Sequence, residues 1–295
     1  MSPPSTVRAL VLTPLLLVAL AAPSAAAGAA REDGPAGEDA ADEAGAREEG
    51  LAAETPALAP GVEIVVNIPA GELAVHEGSG LTRVYPVAVG TRLHPTPVGE
   101  FALTRAVWNP WWHPPATWWA RNERPQPPGP ANAMGRAKLS FKPLYFIHGT
   151  AETETLGQPA SHGCVRMSNA DVIDLARLVH RHATPNLDPA LLDRLARDPR
   201  STREIALERP VTLRIVYRRA ELRGDEVLVH PDVYRRGGSR ELAWEIVDAL
   251  AERGRTVRAA DLVPLLDGVD REGGTLSLSE LLAAVPLTEA GEAAR

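Results

Sequence analysis

From Val62 to His148 short runs of strand composition alternate with turn residues, and this punctuation limits the possible folds more than any other feature of the chain. VEIVVNI (62–68) and ELAVHE (72–77) flank Pro69-Ala70-Gly71, with Pro and Gly where a type I turn takes them, which predicts a hairpin. Gly78-Ser79-Gly80 turns the chain into RVYPVAVG (83–90), and GEFALTRAV (99–107) alternates as a fourth strand. AKLSF (137–141) and LYFIH (144–148) resume strand character on either side of Lys142-Pro143. Strands this short, separated by turns rather than helical crossovers, predict a mainly β domain. A proline-rich loop carrying Trp108, Trp111, Trp112, Trp118 and Trp119 interrupts the series. Most of these indoles are expected to pack the loop onto the sheet, with one or two facing a ligand.

Helical signals begin at Ser168, a good N-cap with Asp171 at the third helical position and Val172, Leu175, Ala176 and Val179 at helical spacing. A second short helix is expected near 188–197, and VTLRIVY (211–217) reads as a closing strand. Residues 221–295 read as a small α-rich accessory region, with helices in SRELAWEIVDALAERG and near Leu276–Ala284. Asp267, Asp270 and Glu280 hint at a calcium loop, but twelve-residue spacing from Glu280 puts Val269 at the first ligand position, which rejects it.

The first 27 residues read as a signal peptide: Arg8, then the apolar run Leu10–Ala22, then Pro23-Ser24-Ala25-Ala26-Ala27. The apolar run is shorter than the roughly 20 residues a bilayer span requires, although an uncleaved anchor is the alternative reading. After cleavage no integral membrane domain is expected, and localisation to the periplasm or cell wall follows. Residues 28–60 are acidic, Ala- and Gly-rich and poor in large apolar side chains, the composition of a disordered linker. A formal charge of −7 opposes nucleic-acid binding.

Cys164 is the single cysteine of the 295-residue chain, so no internal disulfide can form. In an exported protein an unpaired thiol is either buried filler or a nucleophile. Its surroundings, Ser161-His162-Gly163-Cys164-Val165-Arg166-Met167-Ser168, favour the nucleophile. A thiol attacks as thiolate, and His148, His162, Arg166 and the turn into the following helix are each able to promote that form. Gly163 lets backbone amides approach a reacting carbonyl, as an oxyanion site requires. A metal site built from His148, His162 and Cys164 lacks any supporting HExxH or CxxC spacing, so no metal or cofactor is expected.

SHGCVRM, with Ile147-His148-Gly149-Thr150 upstream, resembles the signature of the L,D-transpeptidase catalytic domain, the YkuD-type family. Tyr85–Gly90, Pro95–Phe101 and Ala133-Met134-Gly135 fall in family-like order, so the resemblance covers about residues 61–220. It implies a β-sandwich-like catalytic domain acting on peptidoglycan stem peptides by two-step acyl transfer. Cys164 would attack the bond between diaminopimelate and D-Ala of a donor tetrapeptide. An acceptor amine would then resolve the thioester, from a second stem to give a 3→3 cross-link or from an outer-membrane lipoprotein in some members. His148 would be the base, with Gly149 orienting it through its carbonyl. His162, Gly163 and Cys164 would build the oxyanion site, Arg166 would hold a substrate carboxylate, and Thr150 and Ser161 would line or support the pocket. Two other readings remain: an L,D-carboxypeptidase, with water as acceptor, and a non-catalytic wall-binding module.

Overall fold

A computed structural model describes residues 58–117 and 120–286, all within one compact unit spanning 53–295. The expected signal peptide (1–27) lies outside the described residues, as does the expected linker up to residue 57. The end of that linker belongs to the fold: Ala59 is buried and its amide donates to the Pro210 carbonyl at 2.8 Å.

The architecture is mainly β, with a helix following the cysteine motif, as the sequence pattern predicts. The strands of the first part are β1 (Val62–Asn67), β2 (Glu72–Glu77), β3 (Gly80–Pro86), β4 (Val89–Gly90), β5 (Gly99–Trp108), β6 (Ala137–Lys142), β7 (Tyr145–Thr150), β8 (Pro159–Ser161), β9 (Val165–Ser168) and β10 (Arg203–Val216). Eight of them form one mixed sheet in the order β3-β2-β1-β10-β5-β6-β7-β9, while β4 pairs separately with β8. In β1 alternate residues Val62, Ile64 and Val66 are buried, the period of two that buries one face of a strand. The first hairpin closes as predicted, Gly71 donating its amide to Ile68 at 3.1 Å.

RVYPVAVG was expected as one strand, and the structure breaks it in two. β3 ends at Pro86, which has no amide to continue a ladder, and the chain leaves the large sheet to pair with the loops around Cys164. β10 is longer than the predicted closing strand. It begins at Arg203, and a register shift between Ala206 and Val211 accommodates Pro210.

Helix α1 (Asn169–Ala183) starts as expected. Ser168 Oγ accepts the Asp171 amide at 3.0 Å, and Val172, Leu175, Ala176 and Val179 are buried. These side chains cover one face of the sheet together with Ile147, Val165, Met167, Leu139 and Leu213. Helix α2 (Pro189–Arg197) packs Leu192 and Leu195 onto the same core.

Beyond β10 a second core forms around α3 (Ser239–Ala251), α4 (Ala259–Leu262) and α5 (Leu278–Ala284), from Leu242, Ile246, Leu250, Leu262 and Leu278. It also holds a three-stranded antiparallel sheet, β11 (Ala220–Arg223), β12 (Glu226–Val229) and β13 (Gly274–Ser277), which the helical pattern did not reveal. Among the described residues no helix is long and apolar enough to cross a membrane.

Candidate active site

Strands β7 and β9 run parallel at the edge of the large sheet, with Ile147 beside Val165 and His148 beside Arg166. Because side chains alternate, Ile147, Val165 and Met167 enter the core under α1, while His148, Arg166 and the residue just before β9, Cys164, share the other face. The imidazole and the thiol therefore come from neighbouring strands, as diagonal neighbours. β6 adds Lys138 on the same face, paired across from His148.

His148 is buried, and its Nδ1 lies 2.8 Å from the Gly149 carbonyl. A carbonyl oxygen only accepts, so Nδ1 carries the proton and Nε2 keeps a lone pair. Gly149 thus orients the ring through its carbonyl. Burial, opposed in part by that hydrogen bond and reinforced by Arg166 and Lys138, lowers the His148 pKa to about 4. The ring is neutral at pH 7.

Cys164 is partly exposed, and its thiol donates to the Leu144 carbonyl at 3.6 Å. Burial raises the pKa of the thiol; the Phe146 backbone amide facing the sulfur, Arg166 and Lys138 oppose that rise without overcoming it. Arg166, which favours thiolate in the sequence, acts on the sulfur together with Lys138, yet desolvation dominates, so the resting pair is neutral thiol and neutral imidazole. Leu144, at a positive φ of 67°, occupies the left-handed turn position usually taken by glycine, at a cost of about 1–2 kcal/mol. It is 71% exposed beside the thiol.

The loop before Cys164 is tightly tied. Ser161 Oγ donates to the Cys164 carbonyl at 2.6 Å and accepts the Gly163 amide at 3.0 Å. Ser161 is buried and braces the loop, and the Gly163 amide is already engaged in that brace. Gly163 has a φ of 107°, and a Cβ there would lie 2.8 Å from the Tyr145 ring, so only glycine fits without displacement. His162 is exposed and stacks on His94, ring centroids 4.9 Å apart. Burial, His94 and Arg166 lower its pKa.

Arg166 pairs with Glu152 at 2.9 Å, and Glu152 is 61% exposed. An ion pair with a partner so exposed contributes only ~0–1 kcal/mol, so a ligand carboxylate can replace it at little cost. Thr150 is buried, and its Oγ1 accepts the Glu152 amide at 3.0 Å, which shapes the turn that presents Glu152.

Of the loop tryptophans, Trp108 and Trp112 are buried and Trp111 is 47% exposed. Trp118 and Trp119 lie outside the described residues.

Lys138, Leu144, Phe146, Glu152 and His94 escaped the sequence reading. Lys138 alone left a trace, as a charge in an alternating strand, but its pairing with His148 depends on a register that local pattern does not specify. Among the described residues no group of three His, Cys, Asp or Glu could hold a metal ion.

Residues 61–212, just over half of the chain, match the YkuD family, the L,D-transpeptidase catalytic domain. The chain belongs to this family. A Bacillus licheniformis protein, YkuD, named to the L,D-transpeptidases, is 34% identical over 127 residues, 43% of this chain and 65% of that protein. YqjB of Bacillus subtilis, named to the same group, is 32% identical over 151 residues, 49% of this chain and 77% of that protein. The chain thus spans just under two thirds of the first of these relatives. A solved catalytic domain of the E. faecium L,D-transpeptidase aligns over 52% of this chain and 96% of that one, at 13% identity and a TM-score of 0.34. The helical and three-stranded C-terminal part lies beyond the span matched to the YkuD family.

Proposed function

We propose that the chain is an exported peptidoglycan L,D-transpeptidase in which Cys164 is the nucleophile and His148 the general base. The observation that carries this is the β7–β9 seam: a partly exposed thiol at the start of β9 on the same face as a buried β7 imidazole, whose Nδ1–H is fixed by the Gly149 carbonyl, leaving the Nε2 lone pair free to accept a proton.

From a neutral pair, proton transfer accompanies attack. The Cys164 sulfur bonds to the carbonyl between diaminopimelate and D-Ala of a tetrapeptide stem as its proton passes to His148 Nε2. Lys138 and Arg166, the cations that face this site, stabilise the developing negative charge. Collapse of the tetrahedral intermediate breaks the peptide bond, and imidazolium returns the proton to the departing D-Ala amine. A thioester remains. An acceptor amine then attacks it and gives a proton to His148, and the C–S bond breaks as the departing thiolate takes that proton back. Arg166, released from Glu152, suits a stem carboxylate, and the Cys164 amide is the oxyanion donor, with the His162–Gly163 backbone shaping its approach. The apolar run of residues 10–22 would direct export, and residues 28–57 would act as a tether.

Incubation with purified disaccharide-tetrapeptide followed by mass analysis of products tests the reading. Dimers lacking one D-Ala are expected. Tripeptide alone would assign hydrolysis, with water as acceptor, and an adduct on a supplied lipoprotein lysine would assign anchoring. No acylation at all would leave a wall-binding module.

A further inference from the structure

The loop that carries Cys164 is framed by residues 87–96, and that frame is tied closed by a residue from beyond the family's span. Ala88 exchanges two backbone hydrogen bonds with Arg166, at 2.9 and 2.8 Å, and the Thr91 amide donates to the Ser161 carbonyl at 2.9 Å. Between them, Gly90 packs its backbone so closely that a Cβ would lie 2.9 Å from the Gly163 Cα. The segment 87–91 is therefore one wall of the cysteine loop. It loops back through His94, which stacks on His162, to Thr96, which is wholly buried and whose Oγ1 accepts the Gly90 amide at 2.8 Å.

Tyr234 closes this loop. Its hydroxyl donates to the Gly90 carbonyl at 2.8 Å and accepts the Thr96 amide at 3.0 Å, so one oxygen ties both ends together. The tyrosine is itself held fast. Its ring is buried and stacks on Tyr217, its amide donates to the Tyr217 hydroxyl at 2.9 Å, and the Arg236 guanidinium lies over both rings. Tyr217 donates in turn to Asp232, which also accepts the Arg236 and Gly237 amides.

We propose that Tyr234 is a positioning residue for the Cys164 loop, and that the segment Asp232–Gly237 makes the C-terminal region part of the frame of the site. The hydroxyl sets where Gly90 stands, Gly90 sets where Gly163 can lie, and Gly163 fixes the approach of the Cys164 amide. The effect on turnover rests on the proposed acyl transfer; the effect on loop order does not.

Tyr234→Phe keeps the ring and its stack and removes both hydrogen bonds. Amide hydrogen exchange in the full chain should accelerate about tenfold at Gly90, Thr96, Gly163 and Cys164, with protection in β1 and β10 unchanged, as loss of the two hydrogen bonds that close the loop requires. Acylation by tetrapeptide should slow about tenfold in kcat with KM nearly unchanged. Alkylation of Cys164 by iodoacetamide, which needs no oxyanion site, should stay within about twofold. A purely stabilising residue would lower the melting temperature and leave the ratio of acylation to alkylation unmoved. Unchanged exchange at 161–164 overturns the proposal, as does acylation that falls only in step with alkylation. A wild-type protein that acylates nothing refutes the proposed function, and the exchange comparison then decides alone. If Tyr234→Phe does not fold, Thr96→Val, which cuts the Gly90 bond to the same loop, must reproduce the exchange pattern, and its failure to do so overturns the proposal equally.

Discussion

The two faces of the β7–β9 seam use the same four pairs of backbone residues for opposite ends. Toward α1, Ile147, Val165 and Met167 are wholly buried in apolar packing. Away from α1, Lys138, His148, Cys164 and Arg166 assemble two cations, a neutral imidazole and a thiol where burial desolvates the last two. The inward face supplies stability and the outward face spends some of it: a buried imidazole that protonates only near pH 4 and a positive-φ leucine both oppose folding. What separates the faces is a shift of one residue along each strand.

If that division holds, mutations on the two faces should fail in different assays. Cys164→Ala has the largest expected effect: turnover abolished, with circular dichroism and melting temperature close to wild type. Residual activity above about a tenth would break the comparison. His148→Ala should slow acylation by about 10²–10⁴-fold, the usual share of general-base assistance, and single-turnover rates would show it. On the inward face, Met167→Ala should cost about 2–5 kcal/mol in denaturant unfolding while the folded fraction acylates at nearly the normal rate.

Acid sharpens the same contrast. His148 and His180 are both buried with pKa values near 4, and His180 Nε2 accepts the Trp108 indole N–H at 3.1 Å, a bond lost on protonation. Since the unfolded histidines protonate near 6.5, the native chain binds fewer protons between about pH 6.5 and 4. Stability should be full above that window and decline as pH falls through it, by an amount on the order of 3 kcal/mol per histidine at pH 4. Acylation should persist to about pH 5 and disappear through pH 4, since only neutral His148 can accept the thiol proton. An acid limb near 6.5 would contradict the burial argument. The smallest effect is expected for Arg166→Gln, a rise of about tenfold in KM for tetrapeptide with kcat altered less.

Local chemistry was legible where a single segment contains it. His162-Gly163-Cys164 and the Ser168 cap sit within eight residues; the cap accepts the Asp171 amide as its place in the order predicts, and the three motif residues share the one loop that enters β9. The period of two in β1 and of helix spacing in α1 follow from burial of one face, so those elements read directly. Lys138, Leu144 and Tyr234 were illegible for the opposite reason: Lys138 and Leu144 depend on the register and turn of the β6–β7 hairpin, and Tyr234 on loop closure to Gly90 across 144 residues of sequence. β8 and β9, with three and four residues, are too short to show a period, and β13 is equally short within a helical context. The break at Pro86 is legible in the sequence, because proline ends a ladder, whereas the strand composition of 83–90 runs straight through it.

In the proposed reaction the Cys164 sulfur becomes covalently acylated through the action of His148. Acid-quenching the protein during turnover of disaccharide-tetrapeptide, then mapping its peptides by mass, measures this directly. A thioester is expected on the peptide containing Cys164, heavier by the stem minus D-Ala, abundant in wild type and sharply reduced in His148→Ala. An acyl group on another residue, or equal labelling with and without the imidazole, would contradict it.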